Sequence, residues 1–161
     1  MSLPTLLPAT PAGADTHLLT TYAPLPGLGV VPVNAFLLRA RQPVLIDTGI
    51  GALQDAFLHE LGRLIDPVDL RWIWVTHADA DHVGSLRRLL ELAPNARVIT
   101  NYLGMGKLGL LGLPLDRVRL LNPGQQLDVG DRQLLALQPP AEPRRRWAKW
   151  LSDLESLQGE S

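Results

Sequence analysis

The chain has 161 residues, 46% hydrophobic and 19% charged, with a net charge of −1; that composition suits one globular domain with a real core. The balanced charge and a pI near 6.4 leave no electrostatic footprint for nucleic acid or an anionic membrane surface. There is no cysteine, so disulfides, thiolate metal sites and cysteine nucleophiles are excluded.

Met1 to Ala14 is rich in Pro, Thr and Ala, and the composition predicts a loose arm over 1–14. It has no basic n-region, and prolines interrupt it, so it makes a poor signal peptide. No apolar run approaches the ~20 residues that span a bilayer. The expected location is the cytoplasm, without membrane association.

Thr16 to Tyr22 reads as a first strand, and Pro24 to Gly29 as a turn. Val30 to Ala40 and Val44 to Asp47 read as the next two strands, an antiparallel start. From Ala52 to Leu64, the residues Leu53, Phe57, Leu61 and Leu64 repeat at helical spacing and give the helix a buried face. His59 falls off that stripe and reads as a surface histidine, as does His17 on the first strand. Asp66-Pro67 breaks the chain before a strand over Leu70 to Val75. A second helix is expected from His82 or Val83 to Leu92, which would set Asp81 and His82 at a helix N-terminus. Arg97 to Thr100 is a further strand. Gly104-Met105-Gly106-Lys107-Leu108-Gly109 matches G-x-G-x-x-G, but no strand runs straight into its first glycine, as a dinucleotide site requires. It reads instead as a glycine-loosened helix capped near Gly112 and Pro114. Val118 to Leu121, Gln126 to Val129 and Gln133 to Leu137 alternate as three short strands, and Asp131 has a turn role. Past Gln138 comes a proline-rich linker. An amphipathic helix then carries Trp147, Trp150, Leu151, Leu154 and Leu157 on one face.

The chemistry concentrates in Thr76 to Leu86, T-H-A-D-A-D-H-V-G-S-L. His77, Asp79, Asp81 and His82 follow the apolar run Trp72 to Val75. Side chains on one short loop at a strand end can converge on a point, and imidazole nitrogen with carboxylate oxygen suits Zn²⁺ or non-haem iron. Gly84 allows close backbone approach beneath the loop. Upstream, Val44-Leu45-Ile46-Asp47-Thr48-Gly49 is a second signal, a short apolar run that ends in an aspartate and a glycine turn.

Together the I-D-T-G turn and the H-x-D-x-D-H-x-G loop resemble the N-terminal half of the metallo-β-lactamase superfamily, over about Val30 to Ala136. The resemblance implies an α/β (α+β) fold. This is the family's αββα sandwich truncated to roughly its N-terminal half, a mixed sheet with flanking helices. The expected division is an arm over 1–14, the domain over 15–138, and linker plus helix over 139–161. It also implies that His77, Asp79, Asp81 and His82 are metal ligands, with Asp47 behind them as support. Zinc is the first expectation for the divalent metal, with iron or manganese next.

Two departures bear on function. Asp79 stands where the family commonly has a second histidine, and a carboxylate there resembles the flavodiiron-like branch, which has glutamate. The family also draws a third histidine, a bridging aspartate and a last histidine from its C-terminal half. No histidine follows His82 here, and Asp116, Asp128, Asp131 and Asp153 sit in no ligand motif. A half-domain that dimerises and a truncated member both fit that pattern.

The first functional expectation is a metal-dependent hydrolase. A metal-activated water would attack an ester, amide or phosphoester of a small-molecule substrate. Asp81 would be its catalytic residue, a ligand that also orients the water or passes on its proton. The alternatives are a flavodiiron-like diiron redox protein, with flavin supplied by another chain, and a non-catalytic fragment that acts through oligomerisation.

Overall fold

The computed structural model describes residues 3–139. Two long strands of ten residues each, β3 (Thr16–Leu25) and β4 (Gly29–Leu38), form a hairpin around a tight turn at 26–28, shorter than the Pro24–Gly29 turn expected. The short strand β5 (Val44–Ile46) pairs antiparallel with the end of β4. From there the chain changes to strand–helix–strand crossovers, and β5, β6 (Trp72–Trp74), β7 (Arg97–Thr100) and β8 (Val118–Leu120) are parallel neighbours. Helices α1 (Gln54–Leu64), α2 (Leu86–Leu92) and α3 (Tyr102–Leu110) make the three crossovers. A separate hairpin, β9 (Gln126–Asp128) with β10 (Gln133–Leu135), ends the described chain.

Composition predicts a loose arm over residues 1–14, and the structure differs there. The strands β1 (Thr5–Leu6) and β2 (Thr10–Pro11) pair with β3, and all belong to the one eight-stranded sheet. The open edge of β3 supplies the backbone partners that a composition-based reading does not see. Ala9 is tied down as well, its N–H donating to Glu60 on α1 at 2.9 Å. The linker and amphipathic helix expected beyond Pro139 lie outside the described residues.

The pleat assigns alternate residues to two faces. On one face Leu37, Leu45, Ile73 and Val98 meet Phe57 and Leu61 of α1, Leu86, Leu89 and Leu90 of α2, and Leu108 of α3. The periodicity of α1 therefore buries the expected stripe, and His59 is exposed. On the other face Leu38, Val44, Trp72 and Ile99 pack against Leu121, Leu127, Val129 and Ala136, so the β9–β10 hairpin covers that side. Phe36, Ile46 and Trp74 lie side by side across three strands of this second face and are only partly buried. A mixed sheet with helices on one face and a strand layer beginning on the other is the αββα arrangement, carried to about half.

The second helix starts later than its periodicity predicts. Residues 79–85 form turns, and α2 begins at Leu86. Asp81 and His82 therefore stand on a loop and gain nothing from a helix dipole. The reason is that the His82 carbonyl and the Gly84 N–H bond across to the turn after β5 instead of within a helical turn. Thr48 N–H donates to the His82 carbonyl at 2.9 Å and Gly84 N–H to the Gly49 carbonyl at 2.9 Å. At α2's other end, Arg117 donates to the carbonyls of Leu90, Ala93 and Ala96. It satisfies groups that a helix C-terminus leaves unpaired.

Candidate metal centre

In a sheet with parallel strands, ligands gather beyond the carboxyl ends of those strands. Asp47 follows β5, the His77–His82 loop follows β6, and α3 follows β7. The three adjacent strands thus bring the I-D-T-G turn, the histidine–aspartate loop and one helix to a single edge.

Gly84 makes this approach sterically possible. A β-carbon there would lie 2.2 Å from Gly51 N, 2.3 Å from Ile50 C and 2.5 Å from Gly49 O. Those neighbours are backbone and cannot swing aside. Thr48 adds to the junction: its hydroxyl donates to the His82 carbonyl at 3.0 Å and accepts from Ser85 N–H at 3.3 Å. The loop is thereby fixed to the turn that carries Asp47.

Asp47 is buried and has φ +60°, a left-handed conformation that aspartate tolerates better than most residues. Its Oδ1 accepts from Thr76 N–H at 2.8 Å. Its Oδ2 accepts from the Thr76 hydroxyl at 2.7 Å and lies 2.9 Å from His82 Nδ1. An ionised carboxylate can only accept, so neutral His82 carries its proton on Nδ1 and offers the lone pair of Nε2. The Thr76 hydroxyl has given its hydrogen to Asp47, so the same oxygen accepts from His77 Nδ1 at 3.0 Å. Asp47 therefore sets the tautomer of both histidines, one directly and one through Thr76. The two rings lie 3.9 Å apart between centroids. The sequence reading missed Thr76, although a hydroxyl beside an expected ligand histidine was the available signal.

On the Nε2 side the remaining acids close in. His77 Nε2 is 3.6 Å from Asp79 Oδ2, and His82 Nε2 is 3.4 Å from Asp81 Oδ2. Donor atoms of Asp47, His77 and His82 lie within 4.8 Å of one another, as do those of His77, Asp79 and Asp81. All five expected residues are thus together. Asp47 is already saturated by three hydrogen bonds, which leaves it behind the histidines. Two imidazole nitrogens and two carboxylates form a donor set that fits a divalent transition metal such as iron, zinc or manganese. His77, Asp79 and Asp81 remain about half exposed, which leaves room for further ligands.

Asp79 has a second partner, Lys107 of α3, whose Nζ lies 3.2 Å from Oδ1. The hydrogen bond from Lys107 holds the Asp79 carboxyl below its usual range, against a smaller opposing effect of desolvation. The hydrogen bond to Asp47 raises the His82 pKa above 6.5, with desolvation opposing it. The G-x-G-x-x-G stretch is the helix that delivers Lys107. Asn101 caps α3, accepting from Gly104 N–H at 2.8 Å.

The other candidates lie elsewhere. Asp128 accepts from Gly130 N–H, and Asp131 accepts from Arg41 N–H and pairs with Arg132. Both serve the hairpin turn, as expected for Asp131. Among the described residues no helix is long and apolar enough to cross a membrane.

Comparison with known proteins gives the family and the fold. The model of the metallo-beta-lactamase superfamily matches residues 28–156. The flavo-diiron protein FprA2 of Clostridium acetobutylicum is 35% identical over 106 residues, 63% of this chain and 26% of that one. A nitric oxide reductase of Moorella thermoacetica is 26% identical over 127 residues, 78% of this chain and 29% of that one. The chain thus spans between a quarter and a third of the length of these relatives. Among solved structures, a flavoprotein of Thermotoga maritima superposes with a TM-score of 0.75 at 21% identity, covering 88% of this chain and 38% of that one. That superposition speaks for the fold.

Proposed function

The chain belongs to the metallo-beta-lactamase superfamily, and we propose that within it the chain is the iron-binding part of a flavodiiron-type redox centre. The relatives favour this over the hydrolase and over zinc as the metal, because a relative at 35% identity is named a flavo-diiron protein. The observation in the molecule that carries the reading is the carboxylate Asp79 beside His77 Nε2, which makes an oxygen-rich donor set.

In this reading His77, Asp79, Asp81 and His82 hold the metal. Asp47 keeps both histidines in the tautomer that offers Nε2. Further ligands come from outside the described residues, since four donors on one short loop leave two metal ions short of partners. Iron held there would supply one-electron redox chemistry toward a small diatomic molecule. The partly exposed rim of His77, Asp79 and Asp81 admits such a molecule. Electrons would come from a flavin carried elsewhere, on another segment or another chain.

The test is anaerobic reconstitution with Fe(II) beside an Asp81→Asn control. Near-stoichiometric iron in the wild type, lost in the variant, with an absorbance change when oxygen is admitted, supports the reading. Preferential zinc retention together with hydrolysis of a model ester would return the hydrolase to first place. Equal and low metal in both proteins would favour a non-catalytic fragment.

A further inference from the structure

Lys107 is the one lysine or arginine among the described residues in an ion pair with a carboxylate of the metal loop. Neither the I-D-T-G turn nor the histidine–aspartate loop contains it, and it comes from α3, 28 residues from Asp79. Its placement is built. Gly104 lies so close to β7 that a β-carbon there would be 2.0 Å from Thr100 Oγ1. Leu108, one turn on, is buried in the core. Residues 104 and 108 thus face the sheet, and Lys107 borders that face, beside the loop. With Asp79 it lines an open groove that also includes Ala78, Ala80, Leu110 and Leu111.

The division of labour at Asp79 is the informative point. Lys107 takes Oδ1, while Oδ2 is the oxygen 3.6 Å from His77 Nε2. We propose that Lys107 is a positioning residue that fixes Asp79 as a one-oxygen metal ligand by holding the other oxygen. The proposal rests on the metal-binding reading above. Asp79 sits on an exposed turn, with a side chain one methylene shorter than glutamate. Untethered, it would spend its time among rotamers that do not reach the metal. Outer partners of ligating carboxylates commonly serve this purpose. The ammonium also repels a metal cation through space. Both members of the pair are more than half exposed, at 58% and 57%, so water and salt screen that repulsion. Orientation outweighs it.

The experiment measures Co(II) and anaerobic Fe(II) dissociation constants for the full chain. It uses wild type, Lys107→Met, Lys107→Arg, Asp79→Asn and the Lys107→Met/Asp79→Asn double variant. Circular dichroism confirms that each variant is folded. Lys107→Met is expected to weaken binding by roughly threefold to tenfold, below the usual range for an outer partner because the pair is exposed. It should also shift the visible Co(II) bands as Asp79→Asn does. Lys107→Arg should restore most of the affinity, and Lys107→Met should have no further effect in the Asp79→Asn background. Unchanged binding in Lys107→Met would overturn the proposal, and tighter binding would overturn it by showing that lysine competes with the metal for Asp79. An effect that persists without Asp79 would also overturn it. If wild type binds no metal, or binds it no better than Asp81→Asn, the metal-binding reading itself fails and this proposal falls with it. Tight binding in wild type with a silent Lys107→Met sinks the Lys107 role alone.

Discussion

Replacing Asp47 with asparagine tests whether one buried carboxylate orients both histidines. The substitution keeps size and tolerates the left-handed φ of +60°, so backbone strain does not confuse the result. Asparagine offers one acceptor oxygen where aspartate offers two. Its oxygen must stay toward Thr76 N–H, at the 2.8 Å now held by Oδ1, because the reverse would set donor against donor. The amide NH₂ then replaces Oδ2, which now accepts from the Thr76 hydroxyl and from His82 Nδ1. Facing a donor, His82 moves its proton to Nε2. The Thr76 hydroxyl turns its hydrogen toward His77 Nδ1, and His77 follows. Both nitrogens that point at Asp79 and Asp81 become N–H groups. Metal binding then forces the tautomers back and leaves at least one buried donor unpaired, a cost of about 1–3 kcal/mol. Each tenfold in affinity is about 1.4 kcal/mol, so the expected loss is roughly tenfold to a hundredfold. Competition against a chromogenic chelator, with Co(II) or anaerobic Fe(II), reads this directly. Thr76→Val should produce a smaller loss, because it disturbs the His77 branch alone. Asp47→Asn binding metal within twofold of wild type would refute the argument.

Gly84→Ala drives a β-carbon into the backbone of Gly49 to Gly51 and separates the two site turns. Overpacking of about 1–3 kcal/mol adds to the lost bonds between Gly84 and Gly49 and between Thr48 and His82. At roughly 2–4 °C per kcal/mol for a chain of this size, the expected fall in Tm is about 5–12 °C, with metal affinity lost beside it. A melt within two degrees of wild type, roughly the effect of a neutral surface change, would count against it. Arg117→Met removes the donors that satisfy Leu90, Ala93 and Ala96. It should cost about 2–4 kcal/mol in urea denaturation while leaving the Co(II) spectrum of the remaining folded protein unchanged; a spectral change would contradict the separation of the two roles. Metal-free protein should show a pH dependence set by His82. Its folded pKa is raised by Asp47, so its contribution is full below the ordinary value of 6.5 and lost as pH rises through the folded pKa. The fall in Tm above pH 6.5 should flatten in Asp47→Asn, and an equal slope in both proteins would assign the effect to another group.

Periodicity and turn chemistry carry the strands and α1. The strand readings over Thr16–Tyr22 and Val30–Ala40, the stripe of Phe57 and Leu61, and the apolar run at Trp72–Val75 all depend on neighbours in sequence, and the fold keeps them with shifted ends. The same logic overextends α2. Val83, Leu86, Leu89 and Leu90 suit a helix, yet the His82 carbonyl and the Gly84 N–H bond to Thr48 and Gly49 instead. It also leaves 1–14 without structure, because β1 and β2 exist only through the edge of β3. The resemblance pointed to a hydrolase first. Similarity to a flavo-diiron protein favours the alternative that Asp79 suggested.

By itself the sequence determined the candidate ligand types, their place at a strand's end and the need for glycine at 84. These follow from spacing and from what each side chain can coordinate. Tertiary structure alone decided the rest. Asp47 reaches Thr76 and His82 across 29 and 35 residues, and Lys107 reaches Asp79 across 28. Those contacts exist because parallel pairing of β5, β6 and β7 aligns three strand ends at one edge. The ligands are therefore written in a local pattern, while their tautomers and orientation are set by groups that only the folded sheet brings near.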